Sequence, residues 1–226
     1  MDCAFCATGQ MGFQRNLSVG EILGQIIFFI RRLREQGEIL TSIVYMGMGE
    51  PFLNSAEVFK SIRILNSSKM RNLGARHITI STSGVVPGIL ELADFPIPVR
   101  LSVSLHAPND VLRSKIMPVN RKHSLGSLID ALKAYKDKTG ERITIEYVML
   151  QKVNDEPEHA YEMAAILSGL GVYVNRIPYN PIALLQPGEQ GFQRSTTERI
   201  KEFAAILAKL GIENEIRKEK GTDIDA

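Results

Sequence analysis

The chain has 226 residues, 44% of them apolar, and a formal net charge of +2 from 27 Lys and Arg against 25 Asp and Glu. That size and apolar content suffice for one sizeable core, and the near-neutral charge neither demands nor excludes a nucleic-acid partner. No stretch has the length and apolarity of a membrane span, no basic-then-apolar leader opens the chain, and two cysteines make no disulfide scaffold, which points to a reducing, cytoplasmic setting.

The first element is a pair of thiols, Cys3-Ala4-Phe5-Cys6, followed by Ala7-Thr8-Gly9. Two thiolates cannot complete a tetrahedral zinc site or a four-cysteine iron–sulfur site, and there is no second CxxC. The pair is therefore either a redox dithiol or part of a larger ligand set. A thioredoxin-like motif would follow a strand, and no strand pattern precedes Cys3.

Helical spacing then runs over 18–36, with Ser18 as N-cap, and its apolar stretch 22–33 is interrupted by Gly24 and Gln25. A β-branched run at 40–46 predicts the first strand. Helix 55–66 from Ser55, strand 77–81, strand 99–105, helix 124–139 from Ser124 and strand 143–150 follow. The pattern closes with helix 156–170, strand 172–177, helix 195–210 from Ser195 and strand 213–218. Gly37, Gly140, Gly171 and Gly211 fall at or past helix ends, where a left-handed residue is preferred. Strands alternating with helices across short turns predict an α/β fold with a parallel sheet, open or closed, in one domain over 1–226.

Polar motifs sit where the predicted strands end. Gly49-Glu50 follows the first, Ser81 ends the second, Ser104-Leu105-His106 ends the third and Asn180 follows the fifth. Ligands collect at the carboxyl ends of parallel strands, so these residues point to one pocket. Taken singly each has a plain alternative: a glycine turn at Glu50, a hydroxyl turn at Ser81, a structural histidine at His106, a turn former at Asn180. Strand alternation would aim Ser104 and His106 to one side. Five basic clusters, Arg31-Arg32-x-Arg34, Lys69-x-Arg71, Arg113-x-Lys115, Arg121-Lys122-His123 and Arg217-Lys218-x-Lys220, each read as a solvated helix face or turn.

The string CAFCATGQMGFQRNLSV from Cys3 is similar to the cluster loop of the radical S-adenosylmethionine RNA adenine-C2 methyltransferases of the RlmN/Cfr type. GMGEPFLNS from Gly47, ISTSGVVPG from Ile80, VSLHAPNDV from Val103, IEYVMLQ from Ile145, IPYNPIA from Ile177 and RKEKGTDIDA from Arg217 carry the likeness onward in the same order. The resemblance implies a partial (β/α) barrel of the radical SAM type, with 1–226 as its catalytic core. In that pattern Cys3 and Cys6 look like the second and third cysteines of CxxxCxxC. The first cysteine and first strand would lie before Met1, as would an RNA-contacting domain, the resolving cysteine and the general base. The methyl-carrying cysteine would lie past Ala226, so no catalytic residue is assigned within the chain.

The implied cofactors are a four-iron, four-sulfur cluster (4Fe-4S) on Cys3 and Cys6, and S-adenosyl-L-methionine on Gly49, Glu50, Ser81, Ser104, Leu105, His106 and Asn180. The implied partners are ribosomal RNA, with transfer RNA as a second substrate, and an electron-donor protein. The implied reaction is methyl transfer to C2 of adenine. The C8-methylating branch of the family, a noncatalytic binding module and a zinc hydrolase are the alternatives. The last lacks an HxxxH pair among His77, His106, His123 and His159.

Overall fold

Residues 1–181 and 191–217 are described by a computed structural model. The β-branched runs form six strands: β1 Ile43–Tyr45, β2 Ile78–Thr82, β3 Arg100–Ser104, β4 Ile143–Met149, β5 Tyr173–Pro178 and β6 Glu213–Ile216. They lie in one parallel sheet in the order β1-β2-β3-β4-β5-β6, each strand beside its successor. Ile80 of β2, for instance, stands between Tyr45 and Leu101. Helices α3 Ser55–Asn66, α4 Val86–Ala93, α5 Asp110–Ile116, α6 Leu125–Thr139, α7 Pro157–Leu167 and α8 Thr197–Lys209 fill the five crossovers, and α1 Ala7–Gln10 and α2 Val19–Glu35 precede β1. Right-handed crossovers that always advance in the same direction place every crossover helix on one face, and the sheet curves away from it. This is the partial barrel that the resemblance implied.

The core fills the space between sheet and helices because alternate strand residues point there. Ile78, Ile80, Leu101, Val103, Ile143, Ile145, Tyr147 and Met149 pack in one cluster with Leu128 and Leu132 of α6, Met163 and Leu167 of α7, and Phe203 and Leu207 of α8. The intervening residues, among them Ser81, Ser102, Ser104, Glu146 and Asn175, line the concave side. Among the described residues no helix is long and apolar enough to cross a membrane.

Helix starts follow local chemistry, with two corrections. Ser18 accepts from the Glu21 amide while the Glu21 carboxylate accepts from the Ser18 amide, a capping box, and Ser124 accepts from Ser127. Ser55, expected as a cap, is the first residue of α3; the cap position is Asn54, whose amide donates to the Leu17 carbonyl instead. Ser195 is buried and its hydroxyl finds no partner, so Thr196 caps α8 by accepting from Arg199. Gly37, Gly140 and Gly211 are left-handed at helix ends, as is Gly171, although α7 stops earlier, at Leu167. β1 spans three residues of the expected 40–46; in β6 and the last basic cluster, 218–220 lie outside the described residues.

Candidate functional site

The turn after β1 brings Glu50 onto the end of β2. Gly49 takes φ 98°, a value that side chains rarely adopt, and the chain reverses there into Glu50-Pro51. The Glu50 carboxylate then accepts four hydrogen bonds: from the Phe52 amide at 3.1 Å, the Thr82 hydroxyl at 2.8 Å, and the Ser83 amide and hydroxyl at 2.7 Å each. Phe52 anchors the turn. It is buried against Gly88 of α4, where any Cβ would run into the Phe52 ring.

Arg113 binds the ends of β2 and β3 into one floor. Its guanidinium donates to the carbonyls of Ser83 at 2.7 Å, Ser104 at 3.1 Å and Leu105 at 3.0 Å, and to Asn120 Oδ1 at 2.9 Å. The reading of Arg113 as part of a solvated basic cluster is overturned, since the side chain is 0% exposed. Burial lowers its pKa to about 10, which leaves it cationic at neutral pH. Gly84 makes room for it: at φ +102°, a Cβ there would sit 3.0 Å from Arg113 Nη2.

His106 follows directly, and it leaves the strand path. Its φ of +57° is left-handed, which breaks the alternation expected to align it with Ser104. A non-glycine residue pays roughly 1–3 kcal/mol for such a backbone, so its surroundings must hold it there. The Val148 amide donates to His106 Nδ1 at 3.0 Å, Asn154 donates to the His106 carbonyl at 2.8 Å, and the Phe5 ring stands edge-on at 4.9 Å. Burial first and the Arg113 cation second depress its pKa to about 3. The imidazole is therefore neutral, with Nδ1 accepting and Nε2 left to carry the proton.

Through Phe5 the cysteine loop is docked on these strand ends. The Ala4 amide donates to the Ile116 carbonyl at 2.9 Å, and the Cys6 amide to the Cys3 carbonyl at 3.1 Å. Cys3 and Phe5 pack on a second apolar cluster of Ala107, Ile116, Met117, Val148, Leu150 and Tyr179. Burial, reinforced by Cys6, raises the Cys3 thiol to about 11, with Arg113 opposing.

The expected site residues thus share one end of the sheet. Glu50 is joined to β2; Ser104 and Leu105 are joined through Arg113; His106 meets the loop of Cys3 and Cys6. Ser81 is buried on the concave side two residues before Ser83, and exposed Asn180 follows buried Tyr179. Sequence reasoning missed Arg113, Asn154 and Phe5. Asp110 and Arg113 at helical spacing were visible, but burial of the arginine depends on tertiary placement. Among the described residues no group of three or more His, Cys, Asp or Glu side chains could hold a metal ion.

A model of the Radical SAM superfamily matches residues 1–164. The chain is 49% identical over 224 residues to the probable dual-specificity RNA methyltransferase RlmN of Thermotoga neapolitana, covering 99% of this chain and 63% of that protein. It is 45% identical to the ribosomal RNA large subunit methyltransferase N of Nitrosopumilus maritimus, again over 63% of the relative. A crystal structure of a radical SAM methyltransferase from Sphaerobacter thermophilus superimposes with a TM-score of 0.94 at 48% identity, covering 99% of this chain and 64% of that one. The chain spans somewhat less than two thirds of these relatives. At 15% identity, Streptococcus suis SuiB shares the fold alone, with a TM-score of 0.62. A six-stranded partial barrel with thiols, a saturated glutamate and a neutral histidine gathered at its carboxyl end, matched over 1–164, makes this chain a member of the Radical SAM superfamily.

Proposed function

We propose that the chain is the catalytic core of a radical S-adenosylmethionine RNA methyltransferase acting on C2 of adenine in large-subunit ribosomal RNA, with transfer RNA as a second substrate, through a methylated cysteine outside these residues. It works in the cytoplasm with an electron-donor protein. The observation that carries the reading is the convergence of Glu50, Ser104, Leu105 and His106 with the Cys3 loop at one sheet end; the RNA methyltransferase relatives supply the substrate class.

The residues fit the cofactors in part. Cys3 and Cys6 would hold iron, and the buried Arg113 cation beside Cys3 suits a site that becomes anionic when thiolates bind metal. The resemblance calls for three thiolates and the 226 residues hold two cysteines. When bound, the cluster and S-adenosylmethionine supply one-electron chemistry, which C2 of adenine, a poor nucleophile, requires.

The protein's own part is to bind and orient. Glu50 already has every lone-pair site occupied, so it receives a ligand ammonium by giving up the hydroxyl bond from Ser83, whereas Thr82 is held by the Gly84 and Val85 amides that its oxygen accepts. Neutral His106 offers Nε2–H as a donor, and Ser81, Ser104 and Asn180 add polar contacts around it. The test is calorimetric titration of S-adenosylhomocysteine, expected to bind the wild-type chain and to bind Glu50→Ala at least about tenfold more weakly, the loss of one charge-assisted contact. Equal binding by both sinks the site. Mass spectrometry of ribosomal RNA methylated by the longer enzyme then separates C2 from C8.

A further inference from the structure

Glu146 of β4 and Asn175 of β5 are register partners on the concave face. Glu146 is 4% exposed. Its Oε1 accepts from the Ser102 hydroxyl at 3.0 Å and from Asn175 Nδ2 at 3.1 Å. Its Oε2 is buried and accepts no hydrogen bond, and Asn175 Oδ1 is equally bare. Among the described residues, the cation facing Oε2 is Nη1 of Arg217, 3.9 Å away. The Arg217 backbone extends the β5–β6 ladder by donating to the Arg176 carbonyl at 2.9 Å. The same Nη1 lies 3.4 Å from Met46 Sδ, 171 residues earlier and one position past the end of β1.

Among the described residues, one guanidinium therefore reaches from the last strand of the sheet, β6, over its central floor, to the first, β1. β1 and β6 share no ladder, so backbone hydrogen bonds do not fix how far the open sheet curls. A buried carboxylate with a bare oxygen draws a donor strongly, and the planar fork of arginine can serve that oxygen and a thioether at once.

We propose that Arg217 is a positioning residue: anchored on Glu146, it clasps the β6 edge to the β1 edge across the concave face and holds the carboxyl end of β6 over the strand ends where the cofactor residues lie. Its functional meaning rests on the reading above; its geometry does not.

Methionine-methyl NMR on the 226-residue chain tests it. Met46, identified by Met46→Leu, reports the clasp, while Met117, Met149 and Met163, at 1%, 0% and 0% exposure, report the core. Arg217→Gln is expected to shift the Met46 methyl resonance and leave the core methyls in place. Glu146→Gln is expected to shift Met46 the same way from three strands off, and the double variant to shift it no further. A Met46 resonance indifferent to Glu146→Gln, or additive shifts, with the core methyls unmoved, overturns the clasp. Should Glu146→Gln disturb the core methyls, Arg217→Gln read at the Asn175 side-chain amide decides: movement of that amide supports coupling through Glu146, and its constancy overturns it. Titration of S-adenosylhomocysteine into the same samples separates the two readings. No binding by wild type defeats the proposed function and leaves the clasp standing. Binding unaltered by Arg217→Gln defeats the positioning role alone.

Discussion

Two helices of similar length meet opposite circumstances. α6 buries six of its 15 residues beneath β3 and β4, while α2, with 17, buries Ile22 alone and leaves Phe28 60% and Phe29 56% exposed. Both carry a serine cap and helical spacing, so local signals do not separate them. Propensity and caps write a helix, and the layer it meets decides how firmly it is held. The β2 to β5 centre is held by packing and by shared polar hubs. The α2 and β1 side relies on its capping box and on Glu57, which reaches back to the Val19 amide at 2.6 Å.

The sharpest way to break this contrast is to remove the central hub. Arg113→Met should cost about 4 kcal/mol in urea unfolding, because it takes a donor from three carbonyls and from Asn120, although the Leu105 carbonyl keeps the Ala107 amide. A loss near zero would show that packing alone holds the centre. Next, Gly88→Ala should cost about 2 kcal/mol by forcing Phe52 out of place, and S-adenosylhomocysteine binding should weaken with it as Glu50 moves. A pH series gives the third test. The folded pKa of His106, about 3, lies below the ordinary 6.5, so the unfolded chain binds a proton that the folded chain refuses. Its stabilising share is complete above about 6.5 and falls by about 1.4 kcal/mol per pH unit below that, down to its folded pKa. His106→Gln should flatten the slope in this window.

On the other side the effects should be small. Ser18→Ala should cost about 1 kcal/mol or less, read as faster amide exchange confined to the start of α2. Val44→Lys, on an edge strand where Val44 is 48% exposed, should leave thermal unfolding within about 0.5 kcal/mol yet reduce self-association in light scattering. A large loss from either would erase the difference between the two regions.

The fold was largely legible because strand and helix periods differ and the crossovers are short. All six strands lie within the expected runs or one residue beyond them, as at Thr82 and Pro178. What escaped were α1, α4 and α5, too short to show a helical stripe, and the caps Asn54 and Thr196, each one residue from a serine of equal local merit. At the site, the polar residues at strand ends were visible as types and positions. The left-handed turn at His106 was not, because it is imposed by Val148 and Asn154, at and just past the end of β4, and by Phe5 of the cysteine loop, two segments distant from it in sequence. Arg113 was misread for the same reason: a guanidinium becomes buried only when carbonyls from β2 and β3 converge on it.

The strictly sequential strand order also sets an order in time. Ile43 pairs with Ile78, Thr79 with Arg100, Leu101 with Ile143, Thr144 with Tyr173 and Tyr173 with Glu213. No strand waits for a partner made later than its immediate successor. On a ribosome the sheet can therefore grow unit by unit as the chain emerges, each new strand finding a finished edge. Arg217 leaves the tunnel after all six, so the two ends of the sheet are drawn together last.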